Sequence, residues 1–121
     1  MEYLLSSDSD ALICVLYAEY LNRRSHKIPI EKAAYFHDDF SIQKTFLPEW
    51  LPEDVTTVCG WLVEKDLLAA LACDDHFTDV FLTETAVIYM ESRFARKRES
   101  VISHLKELVS FGVSIAGLTL K

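Results

Sequence analysis

Residues 51–92 read LPEDVTTVCGWLVEKDLLAALACDDHFTDVFLTETAVIYMES, and three elements follow from them. Pro52 stands at a first helical position, where its missing N–H is no loss. Glu53 and Asp54 follow in the first turn, where acids meet the positive end of the helix dipole. Val55, Val58, Cys59, Leu62 and Val63 share one stripe, with Asp54, Thr57, Trp61, Glu64 and Lys65 opposite, which predicts a helix ending near Asp66. Gly60 inside it disfavours the helix by about 1 kcal/mol relative to Ala, so a close packing contact is its expected reason. Residues 67–73 and 77–82 then predict two short strands joined by the polar turn Asp74-Asp75-His76. The first run is rich in Ala and Leu, and a helical continuation is its competing reading. Thr83 caps a helix carrying Ala86, Val87, Tyr89, Met90 and Phe94.

Toward the N-terminus, Ser9-Asp10 marks a helix start. Leu12, Ile13, Leu16, Tyr17, Tyr20 and Leu21 recur at helical spacing, and Arg23 and Arg24 suit the C-terminal dipole, so helix is expected over 9–24. Pro29 opens a short helix over 30–37, Asp38-Asp39 breaks it, and Ser41 caps another through Phe46 that Pro48 stops. Toward the C-terminus a basic run, Arg93, Arg96, Lys97 and Arg98, precedes a last helix from about Glu99 toward Leu120. The organisation expected is a domain over 1–99 and an apolar C-terminal helix over 100–121 that packs on that domain or forms a dimer interface, with no repeat or linker.

Composition narrows the classes. The chain has 121 residues, half of them hydrophobic and 12% aromatic, which suits one domain with a real core and not a disordered chain. Three Gly and three Pro favour a helix-rich chain. The net charge of −7 is the opposite of a general nucleic-acid footprint and puts any phosphate contact on a local basic patch. Cys14, Cys59 and Cys73 form no CxxC pair, and a reducing, cytoplasmic location is expected. Residues 1–10 carry no apolar run of signal-peptide type.

The order helix, short helix, helix, hairpin, helix resembles the winged-helix-turn-helix family of small bacterial and prophage proteins. Leu62, Glu64, Lys65 and Leu67 match that family's turn into the wing. Leu82 and Thr83, then Tyr89 and Glu91, match the helix after it. The resemblance covers about a third of the chain well. It implies a mainly α fold with a small β-hairpin (α+β), a winged-helix-like core plus a C-terminal helix. It also implies a third helix in the DNA major groove and a wing on the backbone. Here that helix holds Glu53, Asp54 and Glu64 against Lys65, and the wing tip is Asp74-Asp75-His76, so phosphate is repelled at both places.

The function expected is therefore a protein-binding regulatory or inhibitory module. Its partner face is Asp54, Thr57, Trp61 and Glu64, with Trp61 the anchor if it faces outward and a core residue if it packs under the wing. One alternative is a DNA-binding transcriptional regulator that uses Arg93, Arg96, Lys97 and Arg98, aided by Arg23, Arg24 and Lys27. The bland reading of that cluster is a solvated surface or ion pairs. Residues 108–120 carry no charge and are too short to span a bilayer. A helix there packs on its own domain or on the same helix of a second chain, with Leu105, Leu108, Gly112, Ile115 and Ala116 as the candidate homodimer seam and Gly112 and Ala116 four apart. Peripheral membrane attachment is the other use of that stretch. No HExxH, GxSxG, P-loop or GxGxxG occurs, and Cys73 with His76, or His37 with Asp38 and Asp39, lack a second pair for zinc. No enzyme, cofactor or metal is expected.

Overall fold

The computed structural model describes residues 3–115. In chain order its elements are α1 (Ser7–Ser25), α2 (Ile30–Ala33), α3 (Asp39–Phe46), α4 (Pro52–Glu64), β1 (Leu68–Cys73), β2 (His76–Leu82), α5 (Glu84–Phe94) and α6 (Arg98–Ser110). The fold class is mainly α with one antiparallel hairpin, as expected. The order is compatible with a winged helix and does not by itself identify one.

Helix α1 starts two residues early, because Ser6 rather than Ser9 is the cap. The Ser6 hydroxyl accepts the Ser9 N–H at 3.0 Å, and Ser9 itself is buried. Every residue from Ala11 to Ala18 is buried, so α1 is the central rod of the core and not a half-exposed amphipathic helix. Helices α2, α4, α5 and α6 pack around it.

Helix α2 is shorter than the expected 30–37. Tyr35 leaves it to bridge Phe81 in antiparallel fashion. Phe36 N–H donates to the Val80 carbonyl at 2.8 Å, Val80 N–H to His37 at 2.8 Å, and Leu82 N–H to Ala34 at 3.0 Å. The otherwise unpaired edge of β2 thus takes the backbone of Ala34, Phe36 and His37 as hydrogen-bond partners, and that pairing overrides local helix preference. The break at Asp38 is a cap: its carboxylate accepts the Ser41 N–H at 2.7 Å and starts α3.

The hairpin stands where it was read, and the helical alternative for residues 67–73 fails. Cys73 pairs with His76 across Asp74 and Asp75, whose φ angles of 46° and 65° belong to a tight two-residue turn. The register shifts between Ala69 and Leu71, a bulge that twists the strand. Thr83 caps α5 by accepting the Ala86 N–H at 3.0 Å.

Helix α6 is the main departure. It stops at Ser110 instead of running toward Leu120, and Gly112 lies beyond it with φ +102°. Val101, Ile102, Leu105 and Leu108 are buried in the same apolar cluster as α1, so α6 packs on the domain. Trp50 Nε1 donates to the Ser114 carbonyl at 2.6 Å, which ties the chain after α6 to the segment before α4. Among the described residues no helix is long and apolar enough to cross a membrane.

Candidate functional site

The outer face of α4 is built by what its inner face must bury. Val55, Val58, Cys59 and Leu62 are inward and buried. At 3.6 residues per turn this leaves Asp54, Thr57, Trp61 and Glu64 in one outward row, and all four are exposed. Trp61 is 44% exposed, so it neither packs under the wing nor meets α6 as a core residue. Its ring borders a shallow cavity of about 290 Å³ shared with Leu4, Ser6, Ser9, Glu64 and Lys65. Leu4 beside it is 94% exposed, so the row ends in an apolar pair with one acid, Glu64, and one base, Lys65, at its side. Thr57 donates its hydroxyl to the Glu53 carbonyl at 3.0 Å, which ties it to its own helix.

Gly60 is not forced by a close approach. A Cβ there would meet the Phe77 ring at 3.6 Å, an ordinary van der Waals distance, so the expected packing reason is absent.

The basic run does not form a patch as a unit. Arg93 turns inward and clamps Asp10 from α1, with Nη1 at 2.7 Å from Oδ1 and Nη2 at 3.3 Å from Oδ2. Its guanidinium lies 4.7 Å from the Phe94 ring centroid and 5.3 Å from that of Tyr89. Arg98 is half-buried and donates Nε to the Ala18 carbonyl at 3.3 Å. Arg96, 66% exposed, pairs with Glu91 at 3.4 Å, and Lys97 is exposed. Only these last two face solvent together. Arg23 and Arg24 are likewise held by the chain: Arg23 by Glu19 at 2.9 Å and the Tyr35 carbonyl at 2.7 Å, Arg24 by the Ile28 carbonyl at 2.9 Å.

The described part of the C-terminal helix packs on its own domain, one of the two uses expected for it. Leu105, Leu108 and Ile115 are buried in the chain's own core, Gly112 lies outside the helix, and Ala116 lies outside the described residues. Among the described residues, the large apolar side chains that this end presents to solvent are Val109, 48% exposed, and Phe111, 82% exposed.

Two polar clusters were not read from the sequence. In the first, the Asp10 carboxylate accepts from Arg93, lies 2.7 Å from His104 Nε2 of α6, and takes the Cys14 thiol at 3.5 Å. Asp10, Cys14 and His104 are the one group of metal-ligand type that the described residues bring within 4.8 Å. The chemistry opposes a cation there. Arg93 already neutralises the carboxylate, and burial, then the charge of Asp10, push the fully buried Cys14 thiol well up, so it stays protonated. Burial alone would raise Asp10, but the hydrogen bonds from Arg93 and His104 and their charges outweigh it and hold the carboxyl below its ordinary value.

In the second cluster Asp39, 1% exposed, accepts from the Thr56 hydroxyl of α4 and the Phe40 N–H and lies 3.3 Å from His76 Nδ1 of β2. The His76 ring sits 4.2 Å from the Phe40 ring. The loop acid and the turn histidine, each read as half of an incomplete metal motif, therefore meet. Cys73 and His37 do not join them in a metal-type group. Cys59 beside this cluster is buried, and burial followed by the Asp39 charge pushes its thiol up to about 12. Neither buried cysteine is a nucleophile at neutral pH.

Compared with known protein families, curated proteins and solved structures, the chain matches none.

Proposed function

We propose that this chain is a regulatory or inhibitory protein-binding module on a winged-helix-like core, working in the cytoplasm through the outer face of α4. The observation that carries the reading is Trp61, exposed on one row with Asp54, Thr57 and Glu64 and adjoined by Leu4. A half-exposed Trp beside an open apolar neighbour is the composition of a binding anchor, and Asp54 and Glu64 on its row outnumber the single Lys65, repel phosphate and favour a cationic partner surface. The expected partner is therefore a protein with a basic rim around an apolar pocket. The inward turn of Arg93 weakens the DNA-binding alternative, which now rests on Arg96 and Lys97.

The test is to identify the partner by cross-linking and titrate it with wild-type chain, Trp61→Ala and Glu64→Lys. Both variants should fold with unchanged melting, and each should weaken the complex by about tenfold or more, roughly 1.4 kcal/mol. A partner that binds Trp61→Ala at full strength removes α4 from the interface. Binding of random duplex DNA that weakens steeply with salt would instead favour the transcriptional reading.

A further inference from the structure

We propose that the outer face of the hairpin and the corner between α1 and α2 form one groove for a small amphiphilic anion. Its apolar body lies on the hairpin and its carboxylate or phosphate meets Lys27 and Lys32. None of the residues concerned belongs to α4, so this site stands or falls separately from the proposed partner face.

The apolar half is an open cavity of about 850 Å³ floored by Ala69, Ala70 and Leu71 of β1, Phe81 of β2 and Tyr35. That volume is within the range of small-molecule sites. Leu71 is 62% exposed here, an uncovered large side chain on a strand that carries no charge. The Tyr35 and Phe81 rings lie 4.9 Å apart, and Tyr35 is held by donating its hydroxyl to Asp79 at 3.0 Å.

The polar half is a second cavity of about 520 Å³ beside the first, with Lys32 and Tyr35 lining both. Lys27, Ile28, Pro29 and His37 complete its wall with Arg23, and no carboxylate lines it. In a chain of net charge −7 this is a local reversal of sign. Arg23 builds the corner: its Nη1 takes the Ala33 carbonyl at 3.2 Å and the Tyr35 carbonyl at 2.7 Å, while Glu19 balances its charge. Lys27 and Lys32 are exposed and have no ion pair among the described residues.

Charge also orients and limits the occupant. Glu31 and Asp79 stand beside the apolar half. They repel an anionic group from that end and direct it to the lysines. An extended polyanion would lay its next charges against these acids, whereas one anionic head on an apolar body meets each half with its complement.

The test uses the whole chain, isotope-labelled for amide and methyl NMR. It is titrated with decyl phosphate and with decanoate below their micelle concentrations, and with decanol and inorganic phosphate as half-ligands. Both anions should shift the Ala69 and Leu71 methyls together with the Lys32 and His37 amides. Decanol and phosphate should each bind about tenfold more weakly or worse. Lys27→Glu with Lys32→Glu should remove the advantage of decyl phosphate over decanol. Leu71→Asp should abolish binding of both without changing the melting temperature. Decanol binding as tightly as decyl phosphate, shifts that fall elsewhere, or no saturation at millimolar ligand would each overturn the site. Retention on phosphatidylglycerol vesicles without binding of free decyl phosphate would assign these lysines to a membrane surface and overturn it as well.

Discussion

Asp10 is the residue on which three helices meet, since it takes Arg93 from α5 and His104 from α6 while sitting in the first turn of α1. Its side chain is 15% exposed, so the pair is shielded from solvent more than an ordinary surface salt bridge. Removing one partner leaves a partly buried charge without its complement, and Arg93→Ala should lower stability by about 2 kcal/mol in urea. Because the native carboxyl titrates below its ordinary value, its contribution is present above about pH 4 and is lost as pH falls through the lowered native value. Asp10→Asn should therefore flatten the acid limb of a stability-against-pH curve, and an unchanged limb would show that the pair carries no linkage. Gly60 makes the opposite case. With no positive φ and a Cβ in ordinary contact with Phe77, Gly60→Ala should raise stability by about 1 kcal/mol, read as a higher melting temperature.

At the scale of elements, the hairpin is held at its tip as well as at its base. His76 reaches Asp39 at the start of α3, and Thr56 reaches the same carboxylate from α4. Three elements thus share one buried acid, and local opening of the hairpin must first leave that acid under-satisfied. His76→Ala should cost about 1 kcal/mol and speed amide exchange at the β1–β2 tip more than at α1. Equal protection in both proteins would show that the contact does not restrain the hairpin. The start of α5 was legible because it depends on a local cap, Thr83, whereas α3 begins two residues before the expected cap Ser41, whose N–H is instead the donor to the true cap, Asp38. The end of α2 was not legible, since Tyr35 is drawn out by a strand distant in sequence.

For the molecule as a whole, α6 is part of the core and not an appended arm. Leu105 is fully buried against the cluster around α1, and Leu105→Ala should destabilise by about 3 kcal/mol in chemical denaturation. Val109→Ala, on the exposed side, should leave stability within about 0.5 kcal/mol. If the two variants cost the same, α6 does not dock as described. This packing uses the apolar face that, in the sequence, reads equally well as a dimer seam, so Leu105 and Leu108 are taken up within the chain.

The chain itself determined the α+β class, the hairpin and its polar turn, the caps of α5 and the outward row on α4. These rest on periodicity and on hydrogen bonds between residues three or four apart, which any segment carries in its own order. Only the tertiary structure decided the partners of Arg93, Asp39 and His76, the pairing of residues 34–37 with β2, and the place of Lys32 beside the hairpin face. Each pairs groups distant along the chain, and a charge in a sequence does not reveal whether folding will bury it against an opposite charge or leave it in water.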